Sequence, residues 1–156
     1  ALIAMLSGTT DVPVTFVNAR QVADTRGISV HESTDAQVVD YTDLVEVSVS
    51  GERSVSVAGT TIGADDRPWL TRILEFNVEI ELTEHMAVFR YADVPGIIGL
   101  VGTAFGDAGI NIANMAVSRD RGTALMAISF DAAPPADVVA SIADRDAFEW
   151  GIALQL

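Results

Sequence analysis

Neither cysteine nor lysine occurs among the 156 residues. Without cysteine there are no disulfides, no zinc–thiolate sites and no thiol nucleophile. Without lysine there is no Schiff-base or lysine-base chemistry. Positive charge is scarce, since nine arginines stand against 22 acidic residues for a formal charge of −13. That balance excludes a phosphate-binding footprint of the kind nucleic acids require and disfavours anionic membrane surfaces. Its plainer reading is solubility. No apolar run approaches membrane-spanning length, and the absence of cysteine is compatible with a cytoplasmic location. Two further features are missing, a Gly-x-Gly-x-x-Gly segment and a starting methionine. The short apolar opening Ala1-Leu2-Ile3-Ala4-Met5-Leu6 lacks a charged flank and reads as the end of a helix cut from a longer chain rather than a signal peptide.

Hydrophobic residues make up 49% of the chain, enough for a substantial core in one ordinary domain or two small ones. The N-terminal part predicts a helix over Val17 to Arg26, with Val17, Gln21 and Thr25 on one side and Gly27 as its stop. Leu44 to Ser50 places Val45, Val47 and Val49 on one face of a strand. Gly51-Glu52 forms the turn, and Ser54 to Ile62 returns as the hairpin partner. Trp69 to Phe76 and Val78 to Leu82 are two more segments of strand length. No helical segment after Gly27 offers to cover this sheet.

The C-terminal part alternates more clearly. Met86 to Ala92 is a strand with Ala87, Phe89 and Tyr91 on one face. Pro95 suits the first turn of a helix, and Ile97, Val101, Ala104 and Ala108 form its apolar stripe up to Gly109. Ile112 to Ser118 and Thr123 to Phe130 are strands about a polar turn at 119–122. Pro134-Pro135 opens a second helix with Val138, Val139 and Ile142 inward. A last strand places Phe148, Trp150, Ile152 and Leu154 on one face. The order βαββαβ predicts two helices on one face of a four-stranded antiparallel sheet.

Asp93 and Asn111 fall at the start and end of the first of these helices. Asp93 offers a carboxylate to an ammonium group. The backbone N–H groups of Gly96 and Ile97 offer donors to a carboxylate in the favourable field of a helix N-terminus. Asn111 can meet either group. Each residue has a structural alternative: Asp93 as a helix cap, and Asn111 as a stabiliser of the turn after Gly109. Tyr91 has one too, as an aromatic of the core. His31 and His85 lack metal-ligand spacing, and Asp65-Asp66 and Glu79/Glu81 read as solvated carboxylates rather than an acid–base pair.

The stretch Tyr91-Ala92-Asp93-Val94-Pro95-Gly96-Ile97-Ile98-Gly99, taken with Ala108-Gly109-Ile110-Asn111-Ile112, resembles an ACT domain, a small-molecule sensor attached to amino-acid enzymes. Val14 to Ala19, Arg26-Gly27-Ile28, the hairpin ending Val57-Ala58-Gly59-Thr60 and the strand at Leu70-Thr71-Arg72-Ile73 resemble the intervening domain of long-form D-3-phosphoglycerate dehydrogenases. The resemblance implies an α+β chain, with an incomplete intervening domain over 1–84 and a βαββαβ ferredoxin-like ACT domain over 85–156.

It further implies a regulatory and oligomerisation fragment of an NAD-dependent enzyme. The fragment itself has no catalytic site and holds no cofactor, and the catalytic domains lie elsewhere. Homo-oligomers would form through the ACT domains, and L-serine would bind at their interface for feedback inhibition. The expected ligand-binding positions are Tyr91, Asp93, Val94, Pro95, Gly96, Ile97, Ile98, Asn111 and Ile112. Alternatives are a ligand-free assembly module, or the sensor of another amino-acid enzyme such as an iron–sulfur serine dehydratase. The family's anion site would engage Arg72. Here Glu79, Glu81 and Glu84 crowd that region, and a further basic position, near Ala127 and Ile128, is apolar. Arg72 therefore reads as an ion-pair residue.

Overall fold

The computed structural model describes residues 2–7, 13–34, 41, 43–52 and 54–156. They fall into two compact units, residues 1–39 and residues 40–156.

The first unit holds α1 (Leu2–Ser7) and α2 (Ala19–Thr25), with Leu6, Ala19 and Ala23 buried. Helix α2 is shorter than its sequence pattern suggests. The Asn18 side chain accepts the Thr15 N–H at 2.7 Å and donates to the Pro13 carbonyl at 2.9 Å. Those bonds fold the preceding residues into a turn, so Val17 is exposed and the buried face is Ala19 and Ala23 instead.

The second unit contains two four-stranded antiparallel sheets. In the first, β1 (Val45–Ser50), β2 (Ser54–Ile62), β3 (Arg67–Ile73) and β4 (Phe76–Glu81) follow one another in spatial order. Phe76 belongs to β4 and not to the strand before it, because Leu74 takes a left-handed φ of 55° and Leu74-Glu75 turns the chain. The second sheet is built from β5 (His85–Ala92), β6 (Ile112–Asp120), β7 (Thr123–Phe130) and β8 (Phe148–Gln155), in the order β6-β7-β5-β8. Helices α3 (Ile97–Asp107) and α4 (Ala136–Ala143) complete the βαββαβ order. This is the predicted ferredoxin-like arrangement.

One core lies between that sheet and its helices, with Phe89, Phe105, Met126, Ile128 and Ile142 fully buried. Phe105, absent from the predicted stripe, is a central member. Ala108 is exposed, because the helix ends before Gly109, whose φ is 73°. The other face of the same sheet packs on the first sheet. Phe76, Val78 and Ile80 of β4 meet Met86, Val88, Leu125 and Ala127 in a second buried cluster. Strands β5 and β7 are therefore covered on both faces, which explains why Met86 to Phe89 and Ala124 to Phe130 are continuously buried.

The predicted single face of β8 is divided. Arg90 pairs with Trp150 while Tyr91 pairs with Phe148, leaving Glu149 as the extra residue of a β-bulge. Phe148 turns to the helix side, with its ring centroid 5.6 Å from that of Tyr91. Trp150 and Leu154 pack on the opposite cluster, and Ile152 is exposed.

Candidate functional site

The chain leaves β5 at Ala92, turns through 93–96 and enters α3. Two contacts fix this turn from below. The Ala92 N–H donates to the Ala147 carbonyl at 2.8 Å, and the Asp93 N–H donates to the Gly122 carbonyl at 2.9 Å. The second joins the turn to the β6–β7 hairpin, whose two turn residues, Arg121 and Gly122, both have positive φ. Gly96 precedes the helix at a φ of 93°, a conformation that a residue with a Cβ adopts only under strain. No side chain caps α3. The first backbone bond back along the helix comes from Leu100 to the Gly96 carbonyl, so the N–H groups of Ile97, Ile98 and Gly99 open the helix without intrahelical acceptors.

These elements enclose a shallow cavity of about 110 Å³, lined by Tyr91, Asp93, Val94, Pro95, Gly96, Ile97, Ile98, Gly99 and Arg119. It has room for a ligand of a few heavy atoms, not for a nucleotide. Tyr91 is buried at its base, while Val94 and Ile98 stand half-exposed at its rim. Arg119, on β6, places Nε 3.3 Å from Oδ1 of Asp93. One wall thus offers a carboxylate, and beside it stand a guanidinium and the positive end of a helix. Burial pushes the Tyr91 phenol above its usual value of 10.0. The neighbouring Asp93 carboxylate adds to that, and Arg119 opposes it. Tyr91 is accordingly a neutral hydroxyl at physiological pH.

Asn111 and Ile112 are not part of this cavity. They follow the far end of α3, and eleven residues of helix separate the two ends by about 16 Å. Asn111 is exposed and donates from Nδ2 to Oδ2 of Asp131. Ile112 opens β6 opposite Phe130. Arg119 escapes a reading of sequence spacing. Its approach to Asp93 depends on the pairing of Ala92 with Thr123 across the sheet and on the hairpin that follows Arg119.

Arg72 lies elsewhere, on the first sheet, with its guanidinium 2.6 Å from Oε1 of Glu46. It lines a wider cavity of about 470 Å³ with Tyr41, Thr71, Asn77 and Glu79. The Tyr41 hydroxyl donates to Glu79 at 3.2 Å, and Arg67 pairs with Glu81 at 3.0 Å. Near Ala127 and Ile128, where the resemblance implies a further basic position, both residues are apolar and buried in the cores. Among the described residues no cluster of three or more histidine, aspartate or glutamate side chains could hold a metal ion. No helix among them is long and apolar enough to cross a membrane.

Residues 85–146 match the family described as ACT domain, and residues 1–74 match that described as D-3-phosphoglycerate dehydrogenase intervening domain. A D-3-phosphoglycerate dehydrogenase of Bacillus subtilis (strain 168) is 37% identical over 82% of this chain and 26% of its own length. One from Synechocystis is 32% identical over 95% of this chain and 28% of its own length. The Archaeoglobus fulgidus enzyme is 36% identical, with corresponding shares of 85% and 26%. The chain therefore spans about a quarter of the length of these curated relatives. It belongs to the D-3-phosphoglycerate dehydrogenase family, of which it carries the intervening domain followed by an ACT domain.

Proposed function

We propose that this chain is the regulatory and oligomerisation region of a D-3-phosphoglycerate dehydrogenase, and that its ACT domain binds L-serine for feedback inhibition of serine biosynthesis. The carrying observation is the pair of opposite charges at an uncapped helix start: Asp93 and Arg119 beside the N-terminus of α3. A zwitterion inserted there would place its ammonium on Asp93. Its carboxylate would lie on Arg119 and the N–H groups of Ile97 and Ile98. The small cavity suits a short side chain, and the neutral Tyr91 hydroxyl suits a hydroxymethyl group.

Asn111 joins this site only from a second copy, since within one chain it lies a helix length away. Two ACT domains side by side across the β6 edge and the exposed Val94 and Ile98 would bring Asn111 of one against Asp93 of the other. Ligand binding then favours one subunit arrangement over another, and the enzyme slows by that difference in affinity. In this reading residues 1–84 act as the intervening domain and 85–156 as the sensor. Catalysis and NAD binding belong to the remaining three-quarters of the parent, in the cytoplasm. Arg72, already paired with Glu46 and facing Glu79, is assigned no phosphate.

Titration calorimetry with L-serine tests the reading, with glycine, L-threonine, L-valine and a phosphorylated hydroxy acid as comparisons. Saturable binding of serine, abolished by Asp93→Ala and weakened by Asn111→Ala, is expected. Binding of a different amino acid would keep the sensor and change the pathway, as for the ACT sensor of a serine dehydratase. Silence from a folded, dimeric chain would leave a ligand-free assembly module.

A further inference from the structure

Asn111 can turn either side of its amide to a ligand, and its surroundings decide which. The end of α3 fixes its backbone. Gly109 takes a left-handed φ of 73°, and the Ile110 N–H reaches back to the Phe105 carbonyl at 2.9 Å. From the other side comes the end of β7, anchored by Phe130, which is buried with its ring centroid 4.6 Å from that of Phe105. Ile112 stands opposite Phe130, so the next pair outward is Asn111 with Asp131. The Asp131 N–H donates to the Asn111 carbonyl at 3.4 Å, and Nδ2 of Asn111 donates to Oδ2 of Asp131 at 2.5 Å.

Only one orientation of the amide satisfies the second of these bonds. An ionised carboxylate accepts hydrogen bonds and donates none, so it must face the amide nitrogen, which turns Oδ1 away. Among the described residues Asp131 has no ion-pair partner, so its negative charge stands beside the amide unneutralised. The bond polarises the amide toward its oxygen and makes Oδ1 the stronger acceptor. The second amide hydrogen sits on the nitrogen next to Asp131, where an approaching carboxylate meets like charge. Both residues are exposed and β6 is an edge strand, so this side of the pair is open to a second copy.

We propose that Asp131 is a positioning residue: it fixes the Asn111 amide so that Oδ1 accepts a hydrogen bond from the ammonium of an amino acid held at Asp93 of a second copy. This role rests on the amino-acid site proposed above and sets the direction in which the ligand lies. The ammonium sits between Asp93 of one copy and Asn111 of the other. The carboxylate points away from Asp131, toward Arg119 and the start of α3. Asp131 touches no ligand; it acts through the amide alone.

Titration calorimetry of L-serine into the 156-residue chain tests this role. Asp131→Asn frees the amide to turn and removes the charge behind it. Its affinity for L-serine should fall roughly tenfold, the loss of one charge-assisted contact, with the melting temperature and the self-association seen by sedimentation unchanged. Asn111→Asp alone sets two carboxylates against each other and should lose at least as much. The double variant Asn111→Asp/Asp131→Asn reverses the pair. Its new amide donates to its new carboxylate, which still turns an oxygen outward, and binding should return to within about threefold of the parent. An Asn111 that met the ligand's carboxylate would give the opposite result, because the double variant would then oppose two carboxylates and stay weak. A weak double variant, or an Asp131→Asn chain that binds like the parent, would overturn the role of Asp131 and leave the amino-acid site standing. A melting temperature that falls in step with affinity in Asp131→Asn would overturn it too, making the pair a fastener of the fold. Silence of the parent chain toward every amino acid would end the proposed function and this role with it.

Discussion

Arg119 reaches from β6 to within 3.3 Å of Asp93, and both groups remain open to solvent. Such a pair adds little to folding, about 0–1 kcal/mol, because water already stabilises each charge. Under the proposed function, its value lies in holding two opposite charges ready for a ligand that carries both. Arg119→Gln should therefore lower affinity for L-serine by roughly 10- to 100-fold, the loss of one charge-assisted contact. Its melting temperature should shift by no more than a degree or two. Calorimetry beside a thermal scan separates the two effects. Equal affinity in the variant would remove Arg119 from the site.

Tyr91 gives a pH signature. Its phenol lies above 10.0 because it is buried beside Asp93, so the folded state holds its proton more tightly than the unfolded chain does. The unfolded chain loses that proton first as the solution becomes alkaline. The stability Tyr91 contributes is thus complete below pH 10 and is lost as pH rises through the folded-state value. Tyr91→Phe should behave like the parent at pH 7–8 and lose less stability above pH 10. Denaturant titrations of both proteins at several pH values would show the curves converging or crossing on the alkaline side.

Much of this molecule is legible in its sequence where the apolar period is regular. Ala87, Phe89 and Tyr91 alternate, Ile97 and Val101 share a helix face, and Gly109 follows that helix, whereas Pro95 lies in the turn before it and not in its first turn. The misses have local causes. Phe105 rather than Ala108 completes the helix stripe because the helix stops short of Gly109. The face of β8 changes at Glu149 because a bulge carries no period of its own. The packing of one sheet on the other is written only indirectly. Phe76, Val78 and Ile80 announce an apolar face but not its partner, and the two-sided burial of β5 and β7 is the matching half of that signal. Arg119 is the harder case, since the pairing that brings it to Asp93 joins residues distant in sequence.

Gly151 sits beneath the aromatic core. A Cβ there would stand 2.4 Å from Cδ1 and 2.6 Å from Cε1 of Phe89, with the Ala143 methyl 3.1 Å away. Phe89 is fully buried and held edge-on by Phe148 at 5.7 Å, so its ring has nowhere to retreat. Gly151→Ala should cost about 1–3 kcal/mol by overpacking, although alanine is otherwise harmless in a strand. Denaturant melts should show a lower midpoint with an unchanged slope. Pairing the change with Phe89→Leu should recover part of the loss, because the clash would then lack its second member.

Arg90 joins the two sheets at the opposite face from the cavity beside α3. Its guanidinium lies 3.0 Å from Glu75, in the β3–β4 turn, and 3.0 Å from Glu149, the bulge residue of β8. The same group stands over the Phe76 ring at 5.5 Å. The side chain is only 24% exposed, so its contacts are less screened than those of a surface pair. A planar, permanently charged fork meets two carboxylates and a ring face at once, and lysine cannot reproduce that geometry. Arg90→Lys should therefore destabilise the second unit by about 1 kcal/mol, and Arg90→Met by about 1–2 kcal/mol. Met keeps most of the apolar stem, so the difference between the variants reports the charge and not the packing. Because Arg90 adjoins Tyr91, the same variants probe whether the bulge positions the cavity. A loss of serine affinity at unchanged stability would assign Arg90 to positioning, whereas parallel loss of both would leave it a fastener between the sheets.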